Sequence, residues 1–192
     1  MVFLEDFIAS FIVLFFIMDP FASIPLFISL TRGLKEGERS KAADSAVLVA
    51  ALLALAFVFF GTAILGAFRV SLNSFKVFGG IVLSMLALET ILGFKPKDEK
   101  KADVNVASVI IATPMLTGPG VITTEILLVS QFGYPPVLAA TLASVLLSWL
   151  VLRSASFIQK AFGSNNLDVA IKVIGLLLGA VGVESIRSGL AG

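Results

Sequence analysis

Between Ser45 and Phe68, between Val104 and Thr124, and between Ile126 and Leu152 there is not one Asp, Glu, Lys or Arg. Each run reaches the roughly 20 residues that a helix needs to cross the hydrocarbon of a bilayer. A helix that is apolar all round has no face to offer water, so it belongs in a core or in lipid. Composition decides for lipid. Of the 192 residues 58% are hydrophobic and 14% charged, with a mean hydropathy of +1.04, whereas soluble chains are about a quarter charged. The sequence reads as an all-α polytopic membrane protein of the cell membrane, with membrane lipid as its surroundings.

Six spans fit, at residues 4–30, 41–66, 71–93, 104–131, 136–160 and 167–189. Glu5 and Asp6 stand where a cleaved leader would carry basic residues, so the first span is expected to be retained. The most hydrophilic stretch, Lys95-Pro96-Lys97-Asp98-Glu99-Lys100-Lys101, divides the chain into residues 1–94, a linker at 95–103 and residues 104–192. Gly163-Ser164-Asn165-Asn166 separates the last two spans. Arg32, Lys35, Arg39 and Lys41 flank the first connection, Lys95, Lys97, Lys100 and Lys101 the third, and Arg153, Lys160 and Lys172 the fifth; Arg69, Lys76 and Arg187 stand on the other side. That imbalance predicts a cytoplasmic linker and two extracytoplasmic termini. The basic linker is a solvated loop, and nothing else in the chain speaks for nucleic acid. With no cysteine and no histidine, disulfides, thiolate chemistry and the commonest metal ligands are excluded, so neither a cofactor nor a metal is expected.

Two proline pairs interrupt the apolar runs. Met18-Asp19-Pro20-Phe21-Ala22-Ser23-Ile24-Pro25 is echoed by Ala112-Thr113-Pro114-Met115-Leu116-Thr117-Gly118-Pro119. In each, a small hydroxylated residue stands two before the second proline. A proline inside a helix removes one N–H and obstructs the carbonyl four residues back, so a close pair should break it. In a membrane such a break is tolerated only where protein buries it or a wet cavity meets it. Kinking alone is the plainer alternative.

The echo extends further. Ile64-Leu65-Gly66-Ala67-Phe68 returns as Ile158-Gln159-Lys160-Ala161-Phe162, at the spacing of 94 residues that relates Pro20 to Pro114 and Pro25 to Pro119. Lys76-Val77-Phe78-Gly79-Gly80 is similar to Lys172-Val173-Ile174-Gly175, and Leu88-Glu89-Thr90-Ile91 to Val183-Glu184-Ser185-Ile186. Each half would hold three spans, an odd number, so the second must enter the membrane inverted. Two inverted three-helix repeats with discontinuous helices 1 and 4 are the expected fold, and matched broken helices point to a transporter's binding site.

At these residues the chain resembles the MarC family of membrane proteins, which includes SnatA, a transporter of small neutral amino acids. The resemblance rests on Asp19 to Pro25, on Thr117-Gly118-Pro119-Gly120-Val121-Ile122-Thr123, and on Lys76 to Gly80. It covers the whole chain. It implies six spans in two inverted repeats around a central site, and amino-acid transport.

The residues supply a physical reading of such a site. After each break a half-helix is expected to begin, near Ser23 and near Thr117, with a proline just inside its start. Its first N–H groups lack partners and carry the positive end of the dipole. Two such starts meeting at the midplane would hold one carboxylate. The opposing half-helix ends, near Ile17 and Ile111, offer free carbonyls to an ammonium group. Asp19, Pro20, Phe21, Ala22, Ser23, Thr113, Pro114, Thr117, Gly118, Pro119 and Gly120 are therefore the candidate substrate-binding residues.

Asp19 is also the candidate for coupling to a proton or cation. A carboxylate at mid-span costs at least about 2.5 kcal/mol to insert, so it is expected to face a cavity. It could hold the substrate ammonium, bind a cation, or take up a proton, since burial disfavours the charged form. A simple helix cap is the alternative. Lys76 and Lys172 are expected to snorkel, and Glu89 and Glu184 to anchor at the interface or form a buried ionic contact. Gly79, Gly80, Gly175, Gly179 and Gly182 are expected to let helices approach closely, and Phe57, Phe59 and Phe60 to face lipid.

A secondary transporter of small neutral amino acids such as glycine or alanine, working by alternating access, fits these features. A channel or passive exporter on the same scaffold is the alternative. An intramembrane enzyme would have only Asp19, Glu125 and hydroxyls to work with, and is not expected. No feature sets an oligomeric state.

Overall fold

The computed structural model describes residues 2–31, 34–93 and 116–191. These residues form helices and no strand: α1 (Val2–Met18), α2 (Pro20–Leu30), α3 (Glu36–Ala67), α4 (Leu72–Leu92), α5 (Pro119–Phe132), α6 (Tyr134–Arg153) and α7 (Ala155–Leu190). Five stretches are long and apolar enough to cross a membrane: 2–28, 36–67, 72–92, 134–153 and 168–190. Helix α5 is a shorter apolar helix, and most of the expected span upstream of it lies outside the described residues.

The expected end of the fifth span at residue 160 is corrected to Arg153. Arg153 bonds to Asp44 on α3 at 3.0 Å and lies over the Trp149 ring, 5.1 Å from its centroid. Trp149 Nε1 also donates to Asp44, at 2.7 Å. This half-exposed polar cluster ends the crossing, because its charges need water. The chain then runs on helically from Ala155 and turns at Gly163, where φ is 71°, a left-handed value that suits glycine. The apolar crossing resumes at Asp168.

Contacts set the direction of each helix. Ser144 donates to the Phe11 carbonyl at 3.5 Å and the Ser148 hydroxyl reaches Met18 Sδ at 4.0 Å, so α1 and α6 run the same way. Helices α3 and α5 also run together, through Ala50 with Thr117 and Gly61 with Ile126. Helices α3 and α6 are antiparallel, with Asp44 beside Arg153 and Phe59 stacked on Tyr134. The largest helix interface joins α4 to α7, also antiparallel. There a Cβ at Gly80 would lie 2.5 Å from the Gly182 carbonyl, and one at Gly175 would lie 3.0 Å from Ile91. The glycines at 80, 175 and 182 thus do what small residues do between membrane helices, while Gly79 admits Thr123 of α5. Phe59 and Phe60 are exposed and Phe57 half-buried.

The core lies in two apolar clusters, one toward each end of the bundle. One gathers Leu14, Ile17, Met18, Ala54, Val58, Val121, Val137 and Ala140. The other gathers Ile24, Phe27, Ala46, Ala50, Leu116, Val151 and Leu152. Five chain segments pass from one cluster to the other: between Met18 and Ile24, between Ala50 and Ala54, between Leu116 and Val121, between Ala140 and Val151, and between Ile171 and Leu178. That shared level is where the candidate site lies.

Candidate functional site

Pro20 has no N–H, and its ring obstructs the carbonyl four residues back. The helix yields at the residue before it. Asp19 takes φ 38°, a left-handed value that Asp tolerates better than most residues. Pro20 then opens α2, in the position where proline suits a helix start. Asp19 Oδ1 accepts the Ala22 N–H at 3.1 Å, and Ser23 Oγ donates back to the Asp19 carbonyl at 3.3 Å. Asp19 is thus the cap of α2. Its second oxygen, Oδ2, is buried without a hydrogen-bond partner among the described residues. The expected half-helix start near Ser23 is corrected to Pro20. Pro25 lies inside α2, where core packing of Ile24 and Phe27, at 0% and 1% exposure, holds the helix through it.

The second start differs. Helix α5 opens at Pro119 with Gly118 as its cap residue, in extended conformation and with no side chain to cap the first turn. Thr117, near which the start was expected, stands two residues before it. Its hydroxyl donates instead to the Ala50 carbonyl on α3, at 2.9 Å. A Cβ at Gly120 would lie 2.6 Å from Leu83 Cδ2 and 3.5 Å from Ile17 Cγ2. The missing side chain therefore brings the first turn of α5 against α4 and against the end of α1. Thr113, Pro114 and Ile111 lie outside the described residues.

The two helix starts thus share one level, between the two apolar clusters. Asp19, Pro20, Ser23, Thr117, Gly118 and Gly120 are buried there, and Phe21 and Ala22 are partly so. Helix α6 adds Ser144 and Ser148, both buried. A row of hydroxyls and one carboxylate across three of these segments is costly in an apolar bundle unless something polar uses it.

Sequence reasoning gave one residue of equal weight no place in the site. Glu125, on α5, is 0% exposed. Thr141 Oγ1 donates to its Oε1 at 3.4 Å, and Oε2 has no partner among the described residues. The available signal was its isolation, since it is the lone charge between residues 104 and 152. The other ionisable residues of the spans lie outside the layer. Glu184 pairs with Arg187 in an exposed bridge at 2.7 Å, which excludes the buried ionic contact considered for it. Glu89 and Lys172 are exposed, and Lys76 is half-buried. Among the described residues no cluster of His, Cys, Asp and Glu could hold a metal ion.

Comparison with known proteins agrees with this architecture. The profile of the MarC family of integral membrane proteins matches residues 4–192. A UPF0056 membrane protein of Archaeoglobus fulgidus is 33% identical over 200 residues, covering 98% of this chain and 94% of its own. UPF0056 membrane protein MJ1677 of Methanocaldococcus jannaschii is 32% identical over 200 residues, covering 98% of both chains. UPF0056 membrane protein YvbG of Bacillus subtilis is 29% identical over 197 residues, covering 95% of this chain and 92% of its own. No solved structure matches the chain. With a buried polar layer across a bundle of apolar helices, and with likeness over almost its entire length, this chain belongs to the MarC family of integral membrane proteins.

Proposed function

We propose that the protein is a secondary transporter of small neutral amino acids, such as glycine or alanine, that works by alternating access. The observation that carries this reading is the unequal provision at the two helix starts. At α2 the carboxylate of Asp19 caps its own helix and keeps Oδ2 unbonded, which suits an ammonium group. At α5 the first turn has no side-chain cap, and an uncapped helix start suits a carboxylate. A zwitterion satisfies both, and a small side chain fits the close packing around Gly120, Leu83 and Ile17. Breaks in the first and fourth spans then frame the substrate near the membrane midplane.

The helix contacts support inverted repeats. Exchanging the two halves of the chain pairs the first span with the fourth, the second with the fifth and the third with the sixth. Under that exchange α1 alongside α6 becomes α5 alongside α3, and both pairs are parallel. The antiparallel α4 and α7 exchange with each other. Arg39 Nη1 donates to Ser156 Oγ at 2.8 Å, so the first connection and the segment after α6 share one end of the bundle. Their lysines and arginines support a cytoplasmic place for that end.

Two measurements test the reading. Purified protein is screened for thermal stabilisation by each standard amino acid, since a ligand that binds the folded state raises its apparent stability. Wild-type liposomes loaded with the best ligand then show counterflow, in which trapped unlabelled substrate accelerates labelled uptake; a channel or passive exporter does not. Asp19→Asn removes a charge-assisted hydrogen bond worth about 1.5–3 kcal/mol, so affinity falls about ten- to hundredfold. Undiminished binding by Asp19→Asn removes the ammonium from this position.

A further inference from the structure

Glu125 is the chemistry the site above does not use. It lies about two turns along α5 from the Gly118 cap, roughly 10 Å at the helical rise. Val121, Leu128 and Val129 of the same helix belong to the apolar cluster around it. An ionised carboxylate in such surroundings requires an opposite charge, and breaking that requirement costs several kcal/mol. None is supplied. Helix α6 turns Thr141 toward it. On α3, which packs beside it through Gly61 and Ile126, the ionisable residues Glu36, Glu38, Arg39, Lys41 and Asp44 all lie in the first turns, away from this level. On α4, which packs on α5 through Gly79 and Thr123, Lys76 and Glu89 form no ion pair with it. On α1, Glu5 and Asp6 are near the free end. A hard metal cation takes six or more oxygens, and the one hydroxyl bonded to this carboxyl does not make such a shell. A proton needs one oxygen, and Oε2 is without a partner among the described residues.

We propose that Glu125 is the proton-binding site of the transport cycle. It holds a proton on Oε2 while α5 and α6 are packed as here and releases it to water when their separation wets Thr141. Only the O–H bond forms and breaks, and the proton passes to or from solvent. Because Glu125 and the uncapped start of α5 belong to one rigid helix, movement of that helix links release of the proton to exposure of the substrate site. This rests on the transport reading above and moves coupling from Asp19 to Glu125, leaving Asp19 for the substrate ammonium.

The test pairs a spectroscopic readout with transport. Infrared spectra of the purified wild type in liposomes at neutral pH contain the C=O band of a neutral carboxyl in apolar surroundings. Glu125→Gln removes from that band a component that Asp19→Asn leaves in place. Thr141→Val, which retains the carboxyl but removes its hydroxyl donor, shifts the band and so decides the matter if Glu125→Gln fails to fold. In alanine-loaded liposomes the ratio of pH-gradient-driven accumulation to counterflow falls at least tenfold in Glu125→Gln. A band left unchanged by Glu125→Gln, an unchanged ratio, or accumulation that follows a sodium gradient instead overturns the proposal. Loss of that component in Glu125→Gln from a wild type that shows no amino-acid counterflow sinks the substrate reading while the proton site stands.

Discussion

The antiparallel contact of α4 with α7 makes a quantitative prediction, because neighbouring glycines on it differ in what surrounds them. A Cβ at Gly80 would lie 2.5 Å from the Gly182 carbonyl oxygen, 2.7 Å from Ile186 Cγ1 and 2.8 Å from the Ile186 nitrogen. Two of those three atoms are backbone and do not rotate away. Restoring an ordinary carbon contact distance requires the helices to part by about 1 Å along their closest line. Overpacking of this kind costs about 1–3 kcal/mol, and a backbone obstacle puts Gly80→Ala at the upper end. Replacing Gly by Ala inside a helix returns about 1 kcal/mol of propensity. The net loss is about 1–2 kcal/mol, or on the order of 5 °C in melting temperature. At Gly179 the same Cβ would meet only the Ala87 Cβ, at 3.5 Å, so Gly179→Ala keeps the propensity gain and melts at or slightly above the wild type. Both variants are melted in detergent, followed through the fluorescence of Trp149, the single tryptophan. If Gly80→Ala melts at or above the wild type, or Gly179→Ala drops as far as Gly80→Ala, the packing argument is wrong.

Two further outcomes follow from the site and the charge pattern. Gly120→Ala drives a Cβ into Leu83 and costs about 1 kcal/mol, whereas the double variant with Leu83→Ala makes room for it; melts that simply sum the two single losses would show that Leu83 is not the obstacle. In intact cells an impermeant thiol reagent labels a cysteine placed at position 134 and spares one at position 99, and the reverse pattern overturns the orientation.

Much of the architecture is legible in the residue order because lipid is an unforgiving solvent. Long uncharged runs have one place to go, so the helical class and the start and end of most crossings follow from apolar length and from where charges resume. Proline chemistry is equally local: the missing N–H of a proline marks a helix start, as Pro119 does for α5. What residue order left open was decided by neighbours. Whether the first break falls at Asp19 or at Ser23 depends on the core around Ile24 and Phe27, which holds α2 helical through Pro25. Thr117 looks like a cap in sequence, but the Ala50 carbonyl, 67 residues away along the chain, takes its hydroxyl. The end of the fifth span depends on Asp44 lying across from Arg153. Glu125 reads as one charge among apolar residues until α3, α4 and α6 close around α5 and leave its second oxygen without a partner. Hydrophobic length and backbone chemistry act within one segment, so sequence determines them. Burial and hydrogen-bond satisfaction are relations between segments, and only the packed bundle sets those.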